Sequence, residues 1–429
     1  MERCTLRHKG LNYLIAHAIA LTIFIGVIPA NRVQAAPTDK PTINGKAGIT
    51  IDMKTGEIIY DNNIDQKMYP ASITKLMTAL LFAESKSKTD NIKYTASAKA
   101  QPTASLGTDI MTKLAIGDTM TGEDVMKALL VFSANDSAYM VADAVAGDAT
   151  KFAKMMNERG AKLNLKGTNI VSANGLHDIN HYTTPYDISL LGRAAYSNPW
   201  IKEVLGIKKD TIRTSSGIVA IIENRNKLLG VDGNLGGKTG YTEAAGRCLV
   251  SFYERDGRSM IGVIMRSAYD SLDSMVFKDM ETIINWSYNA KPTILYKKDD
   301  LLDTKTLTYK PLKYFGPEKT ISVPVIIREE VNYYENVVNK NELKKEILLD
   351  DLNPWNLTSG SKIGTISIKE RESNKVFELY TTASSKDLIN VNKSLYLFTG
   401  IAAILILVLI LFIVLLVIRG VNKRRRHRY

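Results

Sequence analysis

A chain of 429 residues, 45% hydrophobic and 23% charged, is long enough for two domains, and its composition is globular rather than disordered or collagen-like. Its net charge of +12 points toward nucleic acid only until the charge is located: six positive charges lie in the last eleven residues and a net three in the first 35, leaving about three for everything between. No basic face remains to hold a phosphate backbone, so no nucleic-acid partner is expected.

Residues 1–36 start basic, run apolar from Leu11 to Ile28 and end in Val33-Gln34-Ala35-Ala36, with small residues at the spacing of a signal-peptidase site. They read as a secretory signal over 1–35, cut after Ala35 or Ala36, with an uncleaved anchor as the alternative. Cys4 leaves with the signal and Cys248 has no partner, so the fold should not depend on a disulfide. The setting of Cys248, Gly246 to Tyr253, reads as a buried strand in which a small core residue fits better than a nucleophile.

Residues 47–63 alternate on either side of Met53-Lys54-Thr55-Gly56 and predict a hairpin. Pro70 suits a first helical position, and Ile73, Leu76, Met77, Leu80 and Leu81 then follow the template of an amphipathic helix. Lys75 falls nearly opposite that stripe, with Ser72 toward the same side. Residues 104–147 predict loop and short strand, a helix through Asp124–Leu130, a break at Ser133-Ala134-Asn135-Asp136 and a second helix over 138–146. Helices over 149–163 and 185–197, strand pairs from Leu235 to Ile264 and an amphipathic helix over 270–288 follow.

From Pro292 the texture changes to short strand-like runs (319–327, 362–370, 375–382) separated by turn residues, with a brief helix near 339–349. Residues 291–388 read as a separate small β-rich domain and 389–394 as a short juncture. The run Leu395–Ile418 is uncharged; at ~1.5 Å per residue it spans ~36 Å, more than the ~30 Å hydrocarbon core. The Arg/Lys cluster after it should keep 419–429 cytoplasmic by the positive-inside rule. The expected product is a single-pass membrane protein with residues 37–394 outside the cytoplasmic membrane.

The exported part has two histidines, His177 and His181. Their i, i+4 spacing would suit a metal on a helix, but Gly175 and a loop-like setting point to surface or local hydrogen-bonding roles, and no metal is expected. There is no G-x-S-x-G, P-loop or G-x-G-x-x-G. Ser72 and Lys75, three apart on a helix, have Cβ atoms ~5–6 Å from each other, so hydroxyl and amine are within reach. A solvated Lys beside an incidental Ser is the alternative, since S-x-x-K alone is common. Ser133 and Asn135 interrupt an apolar run from Ala128 to Phe132, where a hydroxyl and an amide need hydrogen-bond partners. Lys-Thr-Gly occurs twice. At Lys54-Thr55-Gly56 a hairpin turn explains it; Lys238-Thr239-Gly240 follows Gly236-Gly237 and precedes a strand-like run, so something can approach its backbone closely. Ser-x-x-Lys, then Ser-x-Asn, then Lys-Thr-Gly in that order is much harder to obtain by chance than any one piece.

This constellation resembles the penicillin-binding proteins and serine β-lactamases, whose signature comprises these three motifs. The likeness is closer to one branch, the low-molecular-mass, serine-type D-alanyl-D-alanine carboxypeptidases of peptidase family S11. It rests on residues 70–81, 133–138, 183–191 and 236–250, and on the layout of signal, catalytic domain, small β domain and C-terminal anchor. Many relatives carry an amphipathic C-terminal helix where this chain has a full span. The resemblance implies an α/β catalytic domain over 36–290, an antiparallel sheet flanked by helices with a helical subdomain, then the β-rich domain and one transmembrane helix. It implies removal of the terminal D-Ala from peptidoglycan pentapeptides through an ester on Ser72, sensitivity to β-lactams, and neither metal nor organic cofactor. Lys75 would be the base, kept neutral by burial, by the charge of Lys238 and by the helix's first turn. By the same resemblance Ser133 relays a proton to the leaving group and Asn135 binds the substrate's peptide. Lys238 and Thr239 hold its carboxylate, with Gly240 beside them, and the N–H groups of Ser72 and Tyr241 form the oxyanion hole. The expected partners are stem peptides ending in D-Ala-D-Ala, β-lactams and the cytoplasmic membrane. A β-lactamase would need a base for the deacylating water, and Glu158 and Asn164 are at the wrong spacing for it. A penicillin-sensing receptor or wall scaffold is the other rival; an eleven-residue tail is too short for an output module.

Overall fold

The computed structural model describes residues 39–426; the predicted signal over 1–35 and the last residues of the tail lie outside it. Strands β1 (Ala47–Asp52) and β2 (Ile58–Asn62) form the predicted hairpin, with Gly56 at φ +79° closing its turn. Strands β3 (Asn234–Thr242), β4 (Gly246–Arg255) and β5 (Arg258–Ser267) complete a five-stranded antiparallel sheet of order β2-β1-β5-β4-β3. The hairpin and the late strands thus meet at β1–β5, and β3 is left as an edge.

Between and after these strands run helices α1 (Lys75–Ser85), α2 (Asn135–Ala146), α3 (Ala149–Lys162), α4 (Pro185–Tyr196) and α5 (Met275–Asn289). Strand residues alternate between two cores, as a period of two requires. Val250, Phe252, Ile261, Val263 and Met265 join the core that contains α1 and α4, while Leu249, Tyr253, Met260 and Ile264 pack with Val276, Phe277, Met280, Ile283 and Ile284 of α5. Each buried large apolar side chain contributes ~1.5–3 kcal/mol relative to exposure. Burial of both faces is why β4 and β5 read as nearly continuous apolar runs.

Helix α1 departs from the amphipathic expectation. Its chain enters through a 3₁₀ turn, Ala71–Thr74, and every residue from Lys75 to Phe82 is buried. The face opposite the apolar stripe is covered by α2 and by the segment around Ala173, whose carbonyl accepts from Thr78 Oγ1 at 2.6 Å. A short helix at Pro199–Leu205, capped by Asn198, and a hairpin of Lys209–Arg213 with Val219–Glu223 were not anticipated.

A second antiparallel sheet is built from β6 (Leu301–Tyr309), β7 (Lys319–Ile327), β8 (Lys344–Leu349), β9 (Lys362–Glu370) and β10 (Ser373–Tyr380), in the order β6-β7-β10-β9-β8. Val323, Val325, Ile327, Ile363, Ile366, Ile368 and Leu379 form its own core. Polar contacts join this part to the first: Asn339 Nδ2 donates to Ile58 O of the hairpin at 2.9 Å, and Arg371, paired with Glu342 of its own part, also pairs with Asp65 just beyond β2. Two expectations change here. The helix near 339–349 spans only Val337–Glu342, because Lys344–Leu349 pairs with β9 as an edge strand. The juncture over 389–394 is helical: Ser385–Val391 is one helix, and α6 (Lys393–Arg426) begins two residues later. Within α6, Lys393–Lys423 is long and apolar enough to cross a membrane.

Candidate active site

Ser72 stands in the 3₁₀ turn ahead of α1, half-buried, on a backbone held by two close approaches. Ala71 takes φ +48°, a left-handed conformation that a non-glycine residue keeps only where its surroundings enforce it. On one side Gly175, at φ +81°, lies so near that an added Cβ would sit 2.0 Å from Ala71 O. On the other, a Cβ on Gly240 would lie 3.0 Å from Pro70 O and 3.1 Å from Ser72 N. Edge strand β3 therefore passes directly beside the Ser72 amide, and Tyr241 follows in the same cleft.

Lys75 Nζ lies 2.9 Å from Ser72 Oγ, 2.8 Å from Asn135 Oδ1 and 2.9 Å from Asn174 O. Asn135 Nδ2 donates to Thr103 O at 2.7 Å, which fixes its amide so that Oδ1 faces the amine. Two of the three partners can only accept. In a neutral amine the two N–H bonds serve those carbonyls, and the lone pair is left facing the Ser72 hydroxyl, which has a proton to give. Burial, then the nearby charges of Lys238 and Arg225, push the Lys75 pKa well below the ordinary lysine value, against a smaller opposing pull from Asp136.

The apolar helix before Ser133 ends in a π-type turn over Ala128–Phe132, and Ser133 itself takes φ +73°. That irregularity turns the Ser133 hydroxyl toward Lys238, whose Nζ donates to Ser133 Oγ at 2.8 Å and to Thr239 O at 3.0 Å. Lys238 is fully buried, and burial with the charge of Arg225 lowers its pKa to about 7. Its ammonium thus stands behind the cleft, bonded to Ser133, rather than free within it.

Ser72, Ser133, Asn135, Thr239, Gly240 and Tyr241 line one cleft of about 310 Å³. All eight candidate residues are brought together, six on the cleft surface and the two lysines beneath it. Sequence reasoning missed Arg225 and Arg247, which also line the cleft. The Arg247 guanidinium is stacked between Tyr241 and Tyr269, 4.7 and 4.9 Å from their ring centres, with Nε on Asp273 at 2.6 Å. Arg247 lies within the stretch 236–250 on which the family likeness rests; Arg225, in a loop, gives no signal at all. His181 is buried behind the nucleophile turn, bonded to Thr74 Oγ1 at 3.0 Å, and His177 sits edge-on to Tyr69. Because Thr74 gives its own proton to Ala71 O, the neutral His181 ring must donate from Nε2. Both histidines lie in loop, as expected.

A sequence model of the family described as D-alanyl-D-alanine carboxypeptidase (Peptidase_S11) matches residues 33–268, more than half of the chain. The chain belongs to that family. It is 27% identical over 330 residues to the D-alanyl-D-alanine carboxypeptidase DacF of Bacillus subtilis (strain 168), covering 76% of this chain and 81% of the relative. It is 31% identical over 275 residues to DacC of Escherichia coli (strain K12), covering 61% and 66%. Among solved structures, penicillin-binding protein D2 of Listeria monocytogenes in its ampicillin-bound form matches with a TM-score of 0.51 at 30% identity, over 58% of this chain and all of that one. DacD of Francisella tularensis matches with a TM-score of 0.58 at 20% identity, over 82% and 95%, which carries the likeness of fold into the second sheet.

Proposed function

We propose that the protein is a serine-type D-alanyl-D-alanine carboxypeptidase that removes the terminal D-Ala from peptidoglycan pentapeptides and is acylated by β-lactams at Ser72. The observation that carries this is the buried Lys75 amine, 2.8 and 2.9 Å from two carbonyl oxygens and 2.9 Å from Ser72 Oγ, where a neutral amine would turn its lone pair to the hydroxyl. Lys75 takes the Ser72 proton as Oγ bonds to the penultimate D-Ala carbonyl carbon. The N–H groups of Ser72 and Tyr241 receive the oxyanion. As the C–N bond breaks, Ser133 gives its proton to the departing amine and is resupplied, directly or through Lys238, with the proton that Lys75 took from Ser72, which returns Lys75 to its neutral form. D-Ala leaves, and Lys75 deprotonates the water that cleaves the ester. Thr239, Arg225 and Arg247 hold the terminal carboxylate, with Lys238 supporting them through the field and through Ser133. Asn135 keeps the base in place and offers its amide to the substrate backbone.

No acidic side chain lines this cleft among the described residues, so none stands ready to activate water against a β-lactam ester. Glu158 is an exposed residue of α3 paired with Lys154. This favours slow release over β-lactamase turnover. The catalytic part, residues 36–290, and the β-rich part, 291–388, are assigned to the outer side of the cytoplasmic membrane, with Leu395–Ile418 as the span, 419–429 as the cytoplasmic tail and 1–35 as a cleaved signal. Mass spectrometry of the purified protein with a pentapeptide ending in D-Ala-D-Ala tests the reading. Loss of a single alanine, abolished in Ser72→Ala, is the expected result; an unchanged peptide would contradict it.

A further inference from the structure

The turn that follows β6 carries an unusual surface. In Lys310-Pro311-Leu312-Lys313-Tyr314-Phe315-Gly316, Leu312 is 40%, Tyr314 70% and Phe315 73% exposed. Single exposed apolar residues need no explanation, but three neighbours at one loop tip do. This tip is tied to the start of α6. Tyr396 Oη donates to the Pro311 carbonyl at 2.7 Å, Asn392 Nδ2 donates to Tyr309 Oη at 2.7 Å, and Lys319 Nζ donates to Asn392 Oδ1 at 2.7 Å. Beside the tip lies a cavity of about 390 Å³ walled by Lys310, Lys313, Tyr314, Glu318 and Trp355 among others. Lys310, Lys313, Lys319 and Lys393 outnumber Glu318 around this juncture.

The depth of the tip follows from the helix. Counting back from Ile418, a hydrocarbon core of ~30 Å takes roughly 20 residues at ~1.5 Å each, which brings the outer boundary near Thr399. Tyr396 then stands in the interfacial layer, where tyrosine is favoured, and the loop bonded to it lies at the same level. We infer that Lys310–Gly316 docks the β-rich domain on the outer leaflet, with Leu312, Tyr314 and Phe315 in the interface and Lys310 and Lys313 on the headgroups of anionic phospholipids. The partner is an anionic lipid surface. This second attachment holds the domain against the bilayer and fixes the height of the catalytic cleft above it. The inference rests on the proposed span, Leu395–Ile418.

The test uses the full chain, with Cys4→Ser, reconstituted in phosphatidylcholine vesicles with and without phosphatidylglycerol; Cys248 is fully buried and stays unlabelled. An environment-sensitive fluorophore is placed on one of three single cysteines. Phe315→Cys should be quenched by headgroup-level nitroxide lipid and shielded from aqueous iodide. Leu348→Cys, exposed on the opposite edge of the sheet, should be quenched by iodide, and Leu407→Cys only by deep nitroxide. A residue 315 as open to iodide as 348, with 407 deep in lipid, overturns the docking and leaves the span standing. A residue 407 in water overturns both. In the anionic vesicles Lys310→Gln and Lys313→Gln should each lower the docking equilibrium roughly fivefold, with no change in neutral ones. Equal effects in both vesicle types would overturn the contact with anionic lipid.

Discussion

Lys54-Thr55-Gly56 and Lys238-Thr239-Gly240 are the same tripeptide in two regions, and only the second lies in the cleft. Lys54 is exposed at the tip of the first hairpin, where Asp52 Oδ1 accepts from the Lys54 and Thr55 amides at 2.9 Å and Gly56 supplies a left-handed turn. Lys238 is fully buried and bonded to Ser133, and Gly240 is small because the Ser72 amide is against it. The chemistry of a motif therefore comes from what the fold stacks on it. A turn satisfies Lys54 with water, whereas an edge strand pressed against the nucleophile turn takes Lys238 out of it.

Substitution at the two lysines should separate these roles most widely. Lys238→Ala should lower kcat/KM for the pentapeptide about 10²–10³-fold, the scale seen when one preorganised donor is lost. Lys54→Ala should leave turnover unchanged and stability within ~0.5 kcal/mol. Equal losses in folded protein would end the distinction. The glycines give the next contrast. Gly240→Ala should move β3 off the Ser72 amide and cost up to ~10²-fold in kcat, since small misplacements at a reacting centre are expensive. Gly56→Ala should cost ~1–2 kcal/mol in a urea melt through its positive φ, with kcat unchanged.

The pH profile sharpens the comparison further. Lys75 must be neutral to act, so activity rises as pH climbs through its lowered pKa. Removing the neighbouring charge in Lys238→Gln lets Lys75 hold its proton longer, so the acid limb of kcat/KM for the residual activity should move to higher pH. Lys54→Gln should not move it. The smallest effect on activity is expected at His181, whose pKa burial lowers to about 4 from 6.5. The unfolded chain binds this proton at higher pH than the folded one, so His181 costs stability as pH falls from 6.5 toward 4, by up to ~3 kcal/mol. His181→Gln should flatten the stability curve across that window, measured by urea unfolding, while leaving the pH profile of kcat/KM in place.

Much of the site was legible because its parts are short-range. Ser72 and Lys75 share one helical turn, and Ser133 and Asn135 announce themselves as polar residues in an apolar helix. What the sequence did not disclose came from distant segments. The burial of α1 on all sides depends on α2 and Ala173, so the residues of the helix alone leave the solvated alternative for Lys75 open. Arg225 enters the cleft from a loop without pattern. Lys344–Leu349, rich in helix formers, is a strand because β9 offers it a ladder, an instance of tertiary pairing overriding propensity. The position of Lys238 behind Ser133 likewise depends on β3 meeting the π-type turn, a contact no local spacing encodes.

The fate of a penicillin ester on Ser72 tests the proposed chemistry most directly. D-Ala leaves the cleft after acylation and makes room for water; an opened β-lactam ring stays attached, and among the described residues no carboxylate lines the cleft to activate water around it. Intact-mass spectrometry, followed over time after excess penicillin is removed, should show one covalent adduct that outlasts the peptide turnover time many times over. Ser72→Ala should carry none, and Lys75→Ala should both form and lose it more slowly. A rapid return to unmodified mass with catalytic release of penicilloate would contradict the assignment and make the protein a β-lactamase.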